Sequence, residues 1–147
     1  MNARRLLLLA ATPLAIASLA APAAAAVINV VKTASCGCCG KWVEHMRKAG
    51  HDVRVTNVED VTPTARRLGV PDDLRSCHTS SVGGYAIEGH VPAADIARLL
   101  REKPKAAGLS VPGMVAGSPG MEMGSNKPPY QTIIFTRDGK RKLFAQH

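Results

Sequence analysis

The chain has few aromatic residues: tryptophan, tyrosine and phenylalanine make up 3% of its 147 residues. It is also short of acidic side chains, with 11 aspartates and glutamates against 19 lysines and arginines. A basic balance can indicate nucleic-acid binding, but that function also uses aromatic side chains, on which bases stack. Here the basic residues are scattered, with hardly any aromatic residues among them. The composition therefore predicts a solvated basic surface and argues against nucleic acid as a partner.

The chain also has no internal repeat and no internal domain boundary, and its length suits one domain of ordinary size. Its long apolar run, residues 6–20, follows Arg4 and Arg5 and precedes the small residues "APAAAA". A basic segment, an apolar run and a small-residue site together form the pattern of a secretory signal peptide. We therefore expect residues 1–26 to be cleaved and residues 27–147 to form a periplasmic domain.

The alternative for this N-terminal segment is a membrane anchor. Its apolar run is short for a helix that spans a bilayer, which needs about 20 apolar residues. We therefore expect no stable membrane insertion after cleavage. Export also affects the cysteines, because an oxidising compartment permits disulfide bonds.

Hydrophobic periodicity predicts a small α/β domain in the mature chain. Residues 27–32, "VINVVK", form a β-branched apolar run that is typical of a buried strand. Helical spacing begins at Gly40 and places Trp42 and Met46 on one face, and Gly50 ends this helix as a left-handed cap. The remaining predicted elements are a strand within residues 51–60, a short helix with Thr62 as N-cap and Pro63 in its first turn, a strand or hairpin in residues 82–90, a helix with Pro92 in its first turn, and two final strands joined by Asp138-Gly139.

Residues 104–129 are rich in glycine, proline and serine, and we expect no regular element there. The order of the predicted elements favours a single thioredoxin-like α/β domain with an added C-terminal β-hairpin and a Gly/Pro/Met-rich loop. In that architecture the first thiols lie at the N-terminus of a helix. The helix dipole and the free N–H groups stabilise a thiolate there.

The cysteines are the densest chemical feature of the sequence. The stretch "TASCGCCGKW" contains Cys36, Cys38 and Cys39, and Cys77 is followed directly by His78. Cys36 and Cys39 have the C-x-x-C spacing of a redox pair, which predicts a thiol–disulfide oxidoreductase. Two features count against this function as the whole account. Cys38 would compete in any exchange, and Cys77 lies in a polar Ser/Thr/Gly segment that we expect to be a loop.

The cysteines alone leave two further interpretations open. An exported domain could use them in two structural disulfides, and four cysteines allow three connectivities. The protein would then be a disulfide-stapled binding module without metal. A structural zinc site with three cysteines and one histidine is the other interpretation, since zinc accepts such ligands.

Methionines in the Gly/Pro-rich segment favour copper over these alternatives. Met114, Met121 and Met123 lie in "VPGMVAGSPGMEMG", whose glycines and prolines oppose a helix. Thioethers there have little core to fill, in contrast to Met46 on the apolar face of the first helix. Thioethers and thiolates form a soft set of ligands, and soft ligands select Cu(I) over zinc.

The motifs "CGCCGKW", "SCHTSSVGGYAIEGHVPA" and "GLSVPGMVAGSPGME", with the terminal pair of strands, resemble the CopG family. These are small exported proteins of bacterial copper-resistance loci. The resemblance covers residues 27–144. It implies a thioredoxin-like fold whose cysteines bind copper, as one ion or as a cluster of several, in place of ordinary disulfide exchange.

Matched motif to motif, the resemblance implies metal ligands among the cysteines, at the histidine of "EGH" and at two loop methionines. His78 of "CHT" would be an auxiliary ligand, and Met123, which lies beyond the matched motif, is taken as a further auxiliary ligand. The implied ion is Cu(I), and the implied partners are other periplasmic copper-resistance proteins. Thiolates and imidazole in one site could also support cycling between Cu(I) and Cu(II). The full set of implied ligands is Cys36, Cys38, Cys39, Cys77, His90, Met114 and Met121.

The position of His90 supports its selection as a ligand. It immediately precedes Val91-Pro92 and so lies where the predicted third helix starts. The N-terminus of a helix disfavours an imidazolium and keeps a neutral imidazole available to a metal. The other histidines, His45, His51 and His147, are expected to be solvated surface residues.

Overall fold

The computed structural model describes residues 26–147, which form three helices and a seven-stranded sheet. The predicted signal peptide lies outside the described residues, apart from Ala26. Within the described part, no helix has the length and apolar character needed to cross a membrane. The elements are β1 (Val27–Lys32), α1 (Gly37–Lys48), β2 (Asp52–Asn57), α2 (Thr62–Leu68), a 3₁₀ turn (Asp72–Leu74), β3 (His78–Val82), β4 (Tyr85–Glu88), α3 (Ala93–Glu102), β5 (Gly108–Ser110), β6 (Gln131–Phe135) and β7 (Arg141–Gln146).

The strands lie in the order β2-β1-β3-β4-β5-β6-β7. β1 runs parallel to β2, to which α1 connects it, and β4 runs parallel to β5. The other neighbouring strands are antiparallel. Because β1 and β3 are antiparallel, Lys32 at the end of β1 lies opposite His78 at the start of β3. The segment that follows β1 and carries three cysteines therefore meets the segment that carries Cys77.

Two hydrophobic clusters cover the two faces of the sheet. In β4, Ile87 is buried in the larger cluster and its neighbour Ala86 in the smaller, as the alternation of side chains along a strand requires. Helices α1 and α3 contribute Trp42 and Ile96 to the larger cluster, whereas α2 contributes Ala65 to the smaller. The sheet therefore has α1 and α3 on one face and α2 on the other.

Trp42 connects α1 to the turn before α3. Its side chain is fully buried, and its Nε1 donates a hydrogen bond to the carbonyl oxygen of Val91 at 2.9 Å. Burying an indole without a partner for its N–H would cost about 1–3 kcal/mol. The bond therefore makes the position of the turn depend on the position of α1.

Helix α1 begins at Gly37, three residues before the predicted start at Gly40. Cys36 is its N-cap residue, so Cys38 and Cys39 lie in the first helical turn. The sequence does not indicate this start, because the first turn has no acidic residue and the N-cap makes no side-chain cap bond. The early start places Cys38 and Cys39 on the helix itself, whereas the predicted helix begins after them.

The polar segment around His78 forms β3, which corrects the expectation of a loop. His78, Thr79 and Ser80 are all buried. The hydroxyl of Thr79 donates to Glu88 Oε2 at 2.6 Å, and β1 and β4 pair with the backbone on both sides. Buried polar groups that have hydrogen-bond partners are compatible with a central strand. Hydrophobic periodicity gives no sign of such a strand.

The structure differs from the prediction in three smaller respects. The three-residue strand β5 lies within residues 104–129, where no regular element was expected. Thr62 is the first residue of α2, and its N–H donates to Asp60 Oδ1 at 2.8 Å, so Asp60 takes the capping role predicted for Thr62. Pro92 precedes α3 as its N-cap residue. The first difference adds a strand and the other two move a boundary, and all three leave the order of the predicted helices intact.

Candidate metal centre

Four cysteines meet at the N-terminus of α1. Cys36, Cys38 and Cys39 come from the start of this helix, and Cys77 comes from the residue before β3. The Sγ of Cys38 lies 3.5 Å from that of Cys36 and 4.0 Å from that of Cys77. The Sγ of Cys39 lies 3.5 Å from that of Cys77. All four sulfur atoms lie within 4.8 Å of one another, which is the spacing needed for shared metal ions.

Cys36 and Cys39 are joined by a disulfide bond, with their Cα atoms 5.4 Å apart. Cys38 and Cys77 are free thiols. Burial, and then the charge of neighbouring Cys38, raise the pKa of Cys77 to about 12. Cys77 is therefore a neutral thiol at physiological pH, and a bound cation would displace its proton.

Two histidines extend the donor group beyond the cysteines. His90 Nε2 lies 3.1 Å and His78 Nδ1 lies 3.5 Å from the Sγ of Cys77. Both imidazoles are fully buried. Burial, with smaller contributions from the charges of His90 and Lys32, lowers the pKa of His78 to about 3. Burial also lowers the pKa of His90. Both rings are therefore neutral, the form that binds metals.

The Gly/Pro-rich segment reaches this site through its backbone. The carbonyl oxygen of Pro119 accepts a hydrogen bond from His90 Nδ1 at 2.8 Å. A carbonyl can only accept, so Nδ1 carries the proton and the lone pair of Nε2 points toward Cys77. Pro119 was not predicted as a site residue, because a backbone carbonyl has no residue-type signature.

Gly120 allows the close approach that this contact requires. A Cβ atom at this position would lie 2.8 Å from both the Cys38 carbonyl oxygen and the Trp42 nitrogen, and the φ angle of Gly120 is 86°. Both conditions favour glycine. The segment thus lies directly against the first turn of α1.

The methionines of this segment differ in exposure. Met114 and Met123 are 61% and 67% exposed, whereas Met121 is partly buried and its N–H donates to the Ser118 carbonyl oxygen at 2.8 Å. Met46 is fully buried in the core, as predicted. The structure brings the four cysteines and two histidines together. The ligand roles of Met114, Met121 and Met123 stay predictions.

The remaining histidines make more contacts than expected. His45 Nε2 accepts a hydrogen bond from the Ala93 N–H at 3.4 Å, at the start of α3. His147 Nε2 lies 2.9 Å from Asp95 Oδ2, and its ring stacks on that of Tyr130. His147 is an exposed residue, as expected, whereas His45 is half-buried. Both histidines connect α3 to neighbouring segments.

A buried carboxylate that the sequence analysis missed holds the segment around Cys77. Glu88 is fully buried, and its Oε1 accepts the backbone N–H of Ser76 at 2.7 Å. Its Oε2 accepts the Thr79 hydroxyl at 2.6 Å, and Arg75 Nε lies 3.5 Å from Oε1. These contacts fix the backbone on both sides of Cys77. A lone acidic residue within the apolar stretch "YAIE" was the available signal.

The chain is similar to one protein family and to two solved structures. The family described as "Protein of unknown function, DUF411" matches residues 74–121, which contain Cys77, both buried histidines and the Pro119 contact. No curated protein shows a significant match.

Two solved structures are similar over most of the chain. One, titled "Copper resistance protein copG- Form 2", is 42% identical, covers 84% of this chain and 98% of its own, and has a TM-score of 0.80. The other, titled "Copper resistance protein copG- Form 1", is 44% identical, covers 82% and 96% of the respective chains, and has a TM-score of 0.78.

Gly120→Ala tests the contact between this segment and His90. The added methyl group should push the segment from α1, break the hydrogen bond between Pro119 and His90, and lower the free energy of unfolding by about 2–4 kcal/mol. ¹⁵N NMR should then show that the ring proton of His90 no longer resides on Nδ1 alone. The matched control is Gly124→Ala, which also has positive φ but no atom within 4 Å of the new Cβ. It should cost only about 1–2 kcal/mol and leave the tautomer unchanged. An unaltered tautomer in Gly120→Ala would contradict the assignment.

Proposed function

Because this chain belongs to the family of the copper resistance protein CopG, we propose that it is an exported protein that binds Cu(I) in copper resistance. The observation that carries the proposal is the group of four cysteine sulfur atoms within 4.8 Å of one another, with two neutral histidines beside Cys77. Thiolates are soft ligands that select Cu(I), and imidazole also suits copper.

The proposed ligands are the four cysteines and His90, with Met114 and Met121 closing the site and His78 and Met123 as auxiliary ligands. Reduction of the disulfide between Cys36 and Cys39 would make all four thiolates available. A thiolate can bridge two ions, so we propose that the reduced site holds several Cu(I) ions. Thiolate and imidazole ligands together also suit both oxidation states of copper, which supports cycling between Cu(I) and Cu(II).

One observation favours a second candidate function. The disulfide between Cys36 and Cys39 lies at the N-terminus of α1, in a β1-α1-β2 unit with parallel strands. This arrangement supports a thioredoxin-like fold with a C-terminal hairpin formed by β6 and β7, and a thiol–disulfide oxidoreductase would use the same pair. Such an enzyme could reduce the cysteines of another periplasmic copper protein.

Export is part of the proposal and has its own measurement. The signal-peptide pattern predicts that protein from the periplasm lacks residues 1–26. Intact-mass spectrometry of the periplasmic fraction would detect this loss. A full-length chain recovered in the membrane fraction would contradict both cleavage and the oxidising compartment.

Cys38→Ser separates copper binding from disulfide exchange. This change leaves the pair formed by Cys36 and Cys39 intact, so an oxidoreductase should keep most of its activity in an insulin-reduction assay. A copper site should instead lose at least one ion per chain, because one of four adjacent thiolates is gone. Metal analysis of anaerobically reduced protein after loading with Cu(I) gives the stoichiometry. Full loading together with strong reductase activity would favour the oxidoreductase.

The double change Met114→Leu, Met121→Leu tests the loop ligands. Leucine conserves the volume but removes the sulfur, and such exchanges usually cost less than about 1.5 kcal/mol. The variant should keep the melting temperature of the apo-protein and lose Cu(I) more readily to a competing chelator. Met46→Leu is the matched control, because Met46 is fully buried in the core. It should affect stability but not copper retention. Unaltered retention in the loop variant would show that these methionines are not ligands.

A further inference from the structure

We propose that Cys77, His78 and His90 form a separate site for a single copper ion, which stays complete while the disulfide between Cys36 and Cys39 is closed. This inference rests on the proposed copper-binding function. It adds that the protein retains one copper ion in its oxidised state, when two of its four thiolates are not available.

The spacing of the three donor atoms fits one metal ion. Each pair of donors lies within 4.8 Å, and Cys77 Sγ is 3.1 Å from His90 Nε2 and 3.5 Å from His78 Nδ1. Around a tetrahedral ion with metal–sulfur and metal–nitrogen bonds of about 2.3 and 2.0 Å, neighbouring donors lie about 3.3–3.8 Å apart. The observed distances require only small shifts. None of the three residues belongs to the disulfide.

His90 is already oriented for this role. Its Nδ1 proton is bonded to the Pro119 carbonyl oxygen, so Nε2 presents its lone pair toward Cys77. A metal-bound histidine usually has its other ring nitrogen fixed in this way. The hydrogen bond that orients His90 is therefore present before an ion binds.

His78 supplies the independent observation. It is fully buried, yet its Nε2 has no hydrogen-bond partner among residues 26–147. The ring is held by packing: its centroid lies 4.6 Å from that of Trp42 and 5.0 Å from that of His90, with the His90 ring edge-on. Nε2 therefore does not set the orientation of the ring through a hydrogen bond, and packing sets it instead. This orientation places the other ring nitrogen, Nδ1, 3.5 Å from the Cys77 Sγ.

The chemistry of this group differs from that of the cysteine cluster. One thiolate with two imidazoles is a ligand set that proteins use for a single copper ion. Cys77 belongs to both groups of donors. In the reduced protein it would join the histidine site to the other thiolates, and in the oxidised protein it would hold the one remaining ion.

The test uses Cys38→Ser with the disulfide closed, so that Cys77 is the sole free thiol. Thiol counting verifies this state. Anaerobic titration with Cu(I) against a competing chelator should give one ion per chain, and the bound ion should slow alkylation of Cys77 at least tenfold. Adding His78→Leu should weaken Cu(I) retention at least tenfold. The control His51→Gln, near the far end of α1, should leave retention unchanged.

Two results would overturn the inference. One is failure of the oxidised Cys38→Ser protein to retain Cu(I) while reduced wild-type protein loads normally, an outcome that leaves the proposed function intact. The other is unchanged retention in His78→Leu. If that variant does not fold, judged by the fluorescence of Trp42, His78→Gln replaces it with the same expectation. Failure of reduced wild-type protein to bind Cu(I) would instead refute the proposed function, and the inference with it.

Discussion

The hydrogen bond from Trp42 to the Val91 carbonyl oxygen is the contact on which the geometry of the site depends. It joins α1, which carries three cysteines, to the turn that carries His90. The same indole packs against His78, and the backbone nitrogen of Trp42 lies beside Gly120. One fully buried residue therefore contacts three of the segments that form the site. Because a dense core has few alternative arrangements, the relative positions of thiols and imidazoles are set by packing before any ion binds.

The burial that makes this scaffold rigid also controls the charge of the donors. It raises the pKa of Cys77 and lowers that of both His78 and His90, so all three groups are neutral at physiological pH. A neutral site avoids the large cost of burying unpaired charges in the absence of metal. Binding of a cation must then release the proton of Cys77. Metal affinity consequently rises with pH, since protons compete for the same sulfur atom.

The sequence was sufficient for the parts of the fold that have a hydrophobic period. It predicted β1 and most of α1, in which Trp42 and Met46 define the buried face. It did not predict β3, because the polar residues His78, Thr79 and Ser80 are buried there by strand pairing on both sides. The same distinction applies to the site. Cysteine and histidine are recognisable donors by residue type, whereas the Pro119 carbonyl acts through the backbone, and only the folded chain shows which carbonyl faces His90.

Two residues of the Gly/Pro-rich segment, Pro119 and Gly120, are explained by their close contacts with the site. Gly120 is required where the segment touches α1, and Pro119 directs its carbonyl oxygen to His90. On the opposite side, Glu88 holds the backbone around Cys77 through Ser76 and Thr79. Cys77 and His90 are thus each fixed by a neighbour that does not belong to the donor set. Since Cys77 also lies within 4.8 Å of the other three cysteine sulfur atoms, a change in the disulfide alters its partners on one side while its histidine partners stay in place. If copper binds as proposed, this asymmetry makes Cys77 the residue that couples the redox state of the cysteines to the occupancy of the histidine site.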